Sequence, residues 1–596
     1  MVVNRSDLSV TLLSDLGEYL TPYQREFAEG SGFWADLPVD PSQCGVHAAA
    51  SSLVRSIWKK FQDEIDQDAA DSEAFRLFDE ANSFCLDGTA EVIDHASLGP
   101  ADSEIIGQLK QELWMFFNPE GYPLFAHATD GITPDLYVDV DFGPGAAPGA
   151  RKTSFLHKLG SSQLSASSLS IIEDYYQWCE RDATRTSNEI CRSMTRGRAV
   201  LEEKPSPLVA VPKTSKVSRL VKTEPLLNMF FQKGIQSVME RRLRSYWGID
   251  LATQPGRNSE LARLGSIDGS YATIDLTQCS DYISCRLIAH LVDRVTYYVL
   301  DRYRSPATLV KGKKVHLGMM ATMGNAFCFP LQTIVLSAVV RAVYKCLGLP
   351  LRHKRDSYHL VGDRLFLRHE PMNWGVFGDD IVIHRDAYPT VVRVLKALRL
   401  KPNESKSFWI GDFRESCGSD WMSGENVRGV YIKTLKTSQN LAIAFNSLTE
   451  WSARTGIPLI STLRLLYSAK NDWPLVPLWE NPDAGIRLPL DVVKDVQRID
   501  SSVELHGSYL YRKWVGKPIS YDRSRGYHNP FAVLLSASLG KLRGGLEIVR
   551  PKILRYGIVC GVAPSWDVIP GDSYVVRESR LRLLRLVVGL QLPEIG

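Results

Sequence analysis

The most informative segment of the chain is WGVFGDDIVIH, residues 374–384. Two short apolar stretches flank the polar sequence Gly378, Asp379 and Asp380, a pattern typical of a β-hairpin with a tight turn. Adjacent carboxylates in such a turn repel each other unless a cation lies between them, and Mg²⁺, which prefers oxygen ligands, would supply that cation. A solvated acidic turn is the alternative to a metal site. The neighbouring segments are needed to distinguish the two.

The segments around this hairpin predict a mixed α+β unit. YATIDL (271–276) has the composition of a β-strand, and the residues from Asp281 onward repeat apolar side chains at helical spacing. The apolar segment from Gly324 predicts a buried helix, and residues 391–398 predict a further helix after the hairpin. Asp275 stands near the end of the first strand and is therefore a third candidate metal ligand, although carboxylates are also common at strand ends that have no catalytic role.

Composition limits the class of protein. With 596 residues, 44% of them hydrophobic and 23% charged, the chain can bury several cores. A formal net charge of +3 gives no bulk attraction for nucleic acid, so any polyanion site must be a local groove. The ten cysteines form no CxxC pair, which favours a reducing cytoplasm. No apolar run is long enough to span a bilayer, and residues 1–10 have no signal-peptide core, so we expect no membrane association.

Positive charge is concentrated in one extended stretch, PSPLVAVPKTSKVSRLVKTEP (205–225), which precedes a helical pattern at residues 226–244. The stretch contains Lys213, Lys216, Arg219 and Lys222. Arginine and lysine are the usual phosphate-binding side chains, so this stretch is a candidate phosphate site. A solvated basic loop is the alternative.

Five motifs, in order, resemble motifs A to E of RNA-dependent RNA polymerases. They are DLTQCSD (275–281), MGN (323–325), FGDD (377–380), NESKSF (403–408) and FRESCG (413–418). KTEPLLNMFFQKGI (222–235) resembles motif F, and the set is similar to the replicase β subunit of the leviviruses, the Q-beta-like RNA bacteriophages. The resemblance is densest at residues 211–432.

The chain departs from the pattern of this family in three places. Phe377 stands where tyrosine is usual, and Ala321 and Thr322 occupy the usual serine positions before Met323. A longer stretch at residues 353–373 predicts an additional hairpin before motif C. None of these changes removes a carboxylate.

The resemblance implies an α+β right-hand polymerase with fingers, palm and thumb, in which an antiparallel palm sheet carries the GDD hairpin. An N-terminal segment, residues 1–160, would contribute to the fingers and to host-factor contacts. Residues 161–270 would form the fingers with motif F, residues 271–436 the palm with motifs A to E, and residues 437–596 the thumb and C-terminal region.

The resemblance also implies roles for individual residues. Asp275, Asp379 and Asp380 would hold two Mg²⁺ ions, for which Mn²⁺ is a substitute. Lys406 would protonate the leaving pyrophosphate as a general acid. The expected nucleotide-binding residues are Arg219, Lys222, Gly324, Asp281 and Asn325, the last two reading the ribose 2′-hydroxyl. Helix capping by Asp281 and a plain surface position for Lys406 are the structural alternatives.

The expected function is RNA-directed synthesis of a positive-strand RNA phage genome in the cytoplasm of the infected bacterium. The expected partners are template RNA, nucleoside triphosphates, the host elongation factors Tu and Ts, and a ribosomal RNA-binding protein. A reverse transcriptase shares the carboxylates but normally carries an aromatic residue near the position of Asp281, which would block the 2′-hydroxyl. A non-enzymatic viral RNA-binding protein is the other alternative, and the near-neutral charge argues against it.

Overall fold

The computed structural model describes residues 3–125, 137–489, 509–516, 529–541 and 556–563, except for residues 31–33, 38–42, 44, 90, 100–101, 144, 151–153, 215, 353–355, 362–363 and 370–371. The fold mixes helices with small sheets. The α-helices of these residues are Arg5–Leu16 (α1), Pro22–Glu29 (α2), Gly45–Ile57 (α3), Gln67–Leu86 (α4), Asp102–Phe117 (α5), Phe155–Ser161 (α6), Leu169–Glu180 (α7), Ala183–Arg196 (α8), Leu226–Arg242 (α9), Gln254–Asp268 (α10), Cys279–Tyr282 (α11), Cys285–Leu291 (α12), Arg294–Tyr303 (α13), Cys328–Cys346 (α14), Tyr388–Ala397 (α15), Ser438–Thr455 (α16), Ile460–Ser468 (α17) and Pro530–Ser538 (α18).

The strands of the same residues are short except near the C-terminus. They are Ser165–Ala166 (β1), Val200–Leu201 (β2), Leu208–Val211 (β3), Arg219–Lys222 (β4), Tyr271–Ile274 (β5), Ala307–Val310 (β6), Lys313–His316 (β7), Asp356–Val361 (β8), Arg364–His369 (β9), Gly375–Phe377 (β10), Asp380–His384 (β11), Phe413–Ser416 (β12), Ser419–Met422 (β13), Glu425–Asn426 (β14), Leu475–Pro477 (β15), Ile486–Leu488 (β16), Tyr509–Gly516 (β17) and Tyr556–Ala563 (β18).

A three-stranded antiparallel sheet in the order β10, β11, β5 positions the acidic motifs. Strands β10 and β11 form a hairpin in which Phe377 pairs with Asp380, and β11 pairs with β5 so that Ile381 lies opposite Ile274. Helix α14 packs behind β10, and its side chains are buried from Pro330 to Tyr344. This is the long buried helix that the sequence predicts after Gly324.

The helix predicted from Asp281 onward is wrong as a single element, because the chain forms α11, α12 and α13 there. Two polar side chains restart the helix. The Ser284 hydroxyl accepts a hydrogen bond from Leu287 N at 3.0 Å and caps α12. The Asp293 carboxylate accepts hydrogen bonds from Val295 N and Thr296 N, both at 2.9 Å, and caps α13. Such N-caps favour a new helix start over continuation of the preceding helix.

The stretch at residues 353–373 contains the additional hairpin that the sequence predicts. Strands β8 and β9 pair antiparallel, with Val361 opposite Arg364 at the turn end and Asp356 opposite His369 at the open end. The hairpin precedes β10 directly in the chain and lies in a separate two-stranded sheet.

Two hydrophobic cores organise the described residues. The first contains buried side chains from Phe78 to Leu400, together with Leu535, and surrounds the three-stranded sheet. The second joins residues 3–61 to residues 413–514. The sequence-based unit at 1–160 is therefore divided between the two cores, because α1 and α3 pack against α17 and α16.

Among the described helices, none is both long enough and apolar enough to cross a membrane.

Candidate active site

The structure brings three predicted carboxylates to one edge of the sheet. Asp275 directly follows β5, and continuing the pairing of Ile274 with Ile381 by one residue places it opposite Asp380. Asp379 lies in the turn between β10 and β11. This turn is tight because Gly378 adopts a φ of +62°, where a side chain would overlap the ring of Phe329. The Gly378 amide donates a hydrogen bond to the Thr333 hydroxyl at 3.1 Å, which ties the turn to α14.

The surroundings of Asp379 and Asp380 disfavour the charged forms of these two carboxylates. Burial, reinforced by the charge of Asp379, raises the pKa of Asp380 to about 6. Burial and the charge of Asp275 likewise raise the pKa of Asp379. The charge of Asp275 thus increases the cost of ionising Asp379, and the charge of Asp379 increases that of Asp380. A cation bound between them would relieve that repulsion.

Asp275 is held by the segment that contains the NESKSF motif. The Asn403 amide group donates to Asp275 Oδ2 at 3.2 Å, and Lys406 Nζ lies 3.3 Å from the same oxygen. The backbone of Asp275 is also fixed, since its N–H donates to the Ser407 hydroxyl at 3.3 Å. Burial lowers the pKa of Lys406, but the nearby charges of Asp275 and Glu415 outweigh burial and raise it overall. Lys406 is therefore protonated at neutral pH.

The carboxylates have the donor chemistry for Mg²⁺, because they supply hard oxygen ligands and crowd negative charge at one point. Within the described ranges, however, no group of three or more His, Cys, Asp or Glu side chains is arranged to hold a metal ion. The cation that stands next to Asp275 in this structure is Lys406. The residues therefore fit a divalent ion by chemistry and charge, while their side chains do not converge as a ready-made ligand cage.

Asp281 lies in the short helix α11, and Asn325 lies in the loop before α14. Asp281 is partly buried and accepts a hydrogen bond from the Ser280 hydroxyl at 3.2 Å, and burial raises its pKa to about 6. Asn325 is buried, and its side-chain oxygen accepts a hydrogen bond from Phe327 N at 3.0 Å. The amide nitrogen of Asn325 has no hydrogen-bond acceptor among the residues that the structure describes, so it remains able to donate to a ligand.

Gly324 has a packing role that the sequence-based assignment does not include. Its φ is +113°, and a Cβ at this position would overlap the carbonyl oxygen of Lys222. The N–H of Lys222 donates to the Met323 carbonyl at 2.8 Å. The MGN loop and strand β4 therefore touch backbone to backbone.

The two predicted cations of β4 occupy different environments. Arg219 is exposed and lines a cavity of about 150 Å³ together with Lys213, Gln278 and Asp281. Lys222 is buried, and its ammonium group lies 3.3 Å from Glu224 Oε1. The structure thus brings Arg219 to the side of Asp281 and leaves Lys222 paired inside the protein.

Lys213 is a site residue that the sequence-based list omits. The charges of Arg219 and Lys406 act on it, as do those of Asp379 and Asp275, so it lies between the basic loop and the carboxylates. Desolvation and the two neighbouring cations lower its pKa. Lys213 belongs to the basic stretch that the sequence predicts to bind phosphate. Sequence spacing does not distinguish it from Lys216, which instead pairs with Asp36 at 2.8 Å.

A family match covers the whole of this site. The sequence profile of the family described as RNA replicase, beta-chain, matches residues 154–354 and 361–476, just over half of the chain. The chain therefore belongs to the RNA replicase beta-chain family.

Its curated relatives are named as phage polymerase chains. The RNA-directed RNA polymerase beta chain of Enterobacteria phage GA is 35% identical over 274 residues, which are 46% of this chain and 45% of the relative. The corresponding chain of Escherichia phage MS2 is 36% identical over 250 residues, 41% of each chain. The subunit beta of Qbeta virus strain MX1 is 29% identical over 349 residues, 54% of this chain and 55% of that one. The chain thus spans about half the length of the curated relatives it matches.

Two solved polymerases show a weak structural likeness. One is the RNA-dependent RNA polymerase of BmCPV in its elongation state, with a TM-score of 0.35, 11% identity, and coverage of 71% of this chain and 37% of that chain. The other is an insertion-loop deletion mutant of a human picobirnavirus RNA-dependent RNA polymerase, with a TM-score of 0.27, 10% identity, and coverage of 78% and 92%. Similarity at this level gives no basis for an inference about the site.

Proposed function

We propose that this chain is an RNA-directed RNA polymerase, the catalytic subunit that replicates a single-stranded positive-sense RNA phage genome. The observation that carries the proposal is the pairing register that sets Asp275 opposite Asp380, with Asp379 in the adjoining turn. Two-metal phosphoryl transfer needs carboxylates from separate strands at one point. The names of the phage relatives agree with this activity.

The proposed architecture is a right hand. Residues 271–436, with the three-stranded sheet and the hairpin β12–β13, form the palm, and residues 161–270 form most of the fingers. The thumb is assigned to residues 437–596, of which 490–508, 517–528, 542–555 and 564–596 lie outside the described residues. The second core supports the addition of residues 3–61 to the thumb. Within the segment 1–160, helix α4 remains with the fingers, because it lines the cavity that contains Arg219.

The proposed chemistry assigns a task to each side chain. Asp275, Asp379 and Asp380 would hold two Mg²⁺ ions, which activate the attacking 3′-hydroxyl and stabilise the leaving pyrophosphate when bound. Lys406 would give a proton to the leaving group, a role that its charged state beside Asp275 supports. Arg219 and Lys213 would bind the triphosphate of the incoming nucleotide, in the cavity that they share with Asp281.

Sugar selection is assigned to Asp281 and Asn325. Asp281 would accept a hydrogen bond from the ribose 2′-hydroxyl, and the free amide nitrogen of Asn325 would donate one. A reverse transcriptase, which excludes this hydroxyl, is disfavoured by the carboxylate at Asp281.

The activity is tested with Asp379→Asn, which keeps the size of the side chain and removes the charge that binds metal. Metal stabilisation contributes several kcal/mol, so we expect RNA-templated incorporation to fall at least about 100-fold. Asp386→Asn, an exposed change close to the same hairpin, is the matched control and should keep wild-type turnover. Wild-type-like turnover by Asp379→Asn would reject the site.

The proposed setting is the cytoplasm of an infected bacterium, with template RNA and nucleoside triphosphates as substrates. Family resemblance adds the host elongation factors Tu and Ts and a ribosomal RNA-binding protein as partners. Affinity purification of the chain from infected cells should recover these factors. A monodisperse chain that is fully active alone would argue against them.

A further inference from the structure

The segment after α3 is fixed beside the sheet hairpin β12–β13. Ile432 N donates to Ile57 O at 3.0 Å, and Gln62 N donates to Lys433 O at 2.8 Å. Between these two contacts lie Lys59 and Lys60, and Lys60 Nζ stands 4.2 Å from the centre of the Tyr431 ring. The N-terminal part of the chain therefore places two lysines at a defined position beside the second core.

This position is linked by contacts to the hairpin β12–β13. The Tyr431 hydroxyl accepts a hydrogen bond from Arg428 at 3.3 Å, and Arg428 pairs with Asp420 in β13 at 2.8 Å. The turn between β12 and β13 reaches Asp380, because the backbone of Cys417 hydrogen-bonds to that carboxylate. The charge of Lys59 interacts with those of Lys406 and Glu415, and Lys406 in turn pairs with Asp275. We call Lys59, Lys60 and Lys433 the basic strip. These three lysines do not line the cavity of Arg219 and Asp281, which is the proposed nucleotide site. They therefore add positive charge outside that cavity.

The charges of the basic strip are poorly compensated. Burial, followed by the charges of Arg428, Lys433, Lys59 and Lys213, lowers the pKa of Lys60. Among the described residues, no carboxylate forms an ion pair with a member of the strip, although Glu415 and Asp420 partly offset the charge of Lys59. Clustered cations whose charges are only partly offset repel one another, and a polyanion relieves that repulsion.

We infer that the basic strip binds consecutive phosphates of the growing RNA strand just behind its 3′ end. This inference rests on the proposed polymerase function, because the 3′-hydroxyl must then lie at the three aspartates. In this arrangement, a strand that starts there and avoids the nucleotide cavity would pass the turn of β12–β13 and the strip beside it. Lys59 and Lys60 lie outside the residues that the family profile matches, so the family assignment carries no information about them.

The inference is tested by RNA binding without nucleotides, using the purified full chain and the double variant Lys59→Gln/Lys60→Gln. The probe is a labelled RNA hairpin with a recessed 3′ end, and its Kd is measured by fluorescence anisotropy over a series of salt concentrations. Each phosphate contact contributes about one unit to the slope of log Kd against log salt, so we expect the slope to fall by about 2. The matched control is Lys313→Gln/Lys314→Gln, which removes two exposed charges from β7 and should keep the wild-type slope.

Two further measurements identify the cause of any loss of RNA affinity. Lys59→Arg/Lys60→Arg keeps the charge and should bind as the wild type does, whereas equal loss in the Arg and Gln variants would show a packing effect and overturn the inference. A single-stranded RNA of the same length should lose less affinity than the recessed hairpin, and equal loss on both would overturn the assignment to the growing strand. An unchanged slope in the Gln variant would reject the strip altogether.

Failure of this inference and failure of the polymerase proposal give different results. Binding requires no turnover, so an unchanged salt slope rejects only the strip. Wild-type-like turnover by Asp379→Asn rejects the catalytic site whatever the binding result.

Discussion

Asp281 and Asn325 keep different amounts of free hydrogen-bonding capacity. The oxygen of Asn325 is already used by Phe327 N, and one oxygen of Asp281 accepts from Ser280. What remains is an amide donor and a second carboxylate oxygen, which match the accepting and donating capacities of a 2′-hydroxyl. The oxygen contact of Asn325 fixes the turn that leads into α14, so this side chain has a structural contact and a free donor at the same time.

We predict that Asp281→Ala reduces ribonucleotide incorporation much more than deoxynucleotide incorporation. An unpaired buried polar group costs about 1–3 kcal/mol, so the ribo-to-deoxy ratio of kcat/KM should shrink by roughly 5- to 150-fold. Steady-state incorporation of matched nucleotides on one template measures this ratio. Ser280→Ala, which removes only the neighbouring donor, is the control, and an unchanged ratio in both Asp281→Ala and Asn325→Ala would leave these residues with capping roles alone.

We predict that Asp380→Asn raises the melting temperature of the protein in the absence of divalent metal. The folded-state pKa of Asp380, about 6, lies above the usual aspartate value, so its contribution to stability is present at low pH and is lost as the pH rises toward 6. At pH 7 the ionised carboxylate therefore opposes folding, and the amide removes that penalty. Calorimetry at pH 7 checks this, and added Mg²⁺ should raise the melting temperature of the wild type but not of the variant. A lower melting temperature for the metal-free variant would contradict the prediction.

At the scale of elements, local patterns account for most of what the sequence predicts correctly. Two apolar stretches around a turn that requires glycine predict the hairpin β10–β11, and a long apolar segment predicts helix α14. The break between α11, α12 and α13 is missed because apolar spacing continues across Ser284 and Asp293 while their side chains cap new helices. The pairing of Lys222 with Glu224 is missed because a count of basic residues ignores carboxylates two positions away.

We predict that Gly324→Ala damages both stability and nucleotide binding. A residue with a side chain is strained at a φ of +113°, at about 1–3 kcal/mol, and its Cβ would push strand β4 away from the MGN loop. The KM for nucleotides should therefore rise along with a fall in melting temperature. Gly256→Ala in α10 adds a Cβ with no atom within 4 Å and serves as the control. Normal KM and melting temperature in Gly324→Ala would show that the loop and strand separate without consequence.

At the scale of the whole molecule, the second core depends on contacts that no local pattern reveals. Helix α3 lies against Gly429, where a Cβ would come within 2.8 Å of Leu53 Cα and overlap the Ser56 hydroxyl. Residues almost four hundred positions apart thus share one interface, and the sequence carries no periodic signal for such a pairing. For the same reason, the sequence does not reveal the position of Lys60, which lies over the Tyr431 ring only after this docking.

We predict that Gly429→Ala loosens α3 while leaving the three-stranded sheet intact. Overpacking at such a contact costs about 1–3 kcal/mol, and the strain falls on the docked helix. Hydrogen exchange should show lost protection in Gly45–Ile57 and unchanged protection in Asp380–His384. Gly107→Ala, in the exposed part of α5 with no atom within 4 Å, should change neither. Full protection of α3 in Gly429→Ala would show that the interface adapts.

The second core also fixes an order of events during synthesis. A ribosome adds about 5–20 residues per second, so roughly 20–70 s pass between the emergence of residue 61 and that of residue 413. Throughout that interval, the apolar faces of α1 and α3 lack their partners and depend on chaperones or transient contacts to stay soluble. The edge that carries the three aspartates is therefore completed only late in translation, so under the proposed function RNA synthesis cannot begin while most of the chain is still being made.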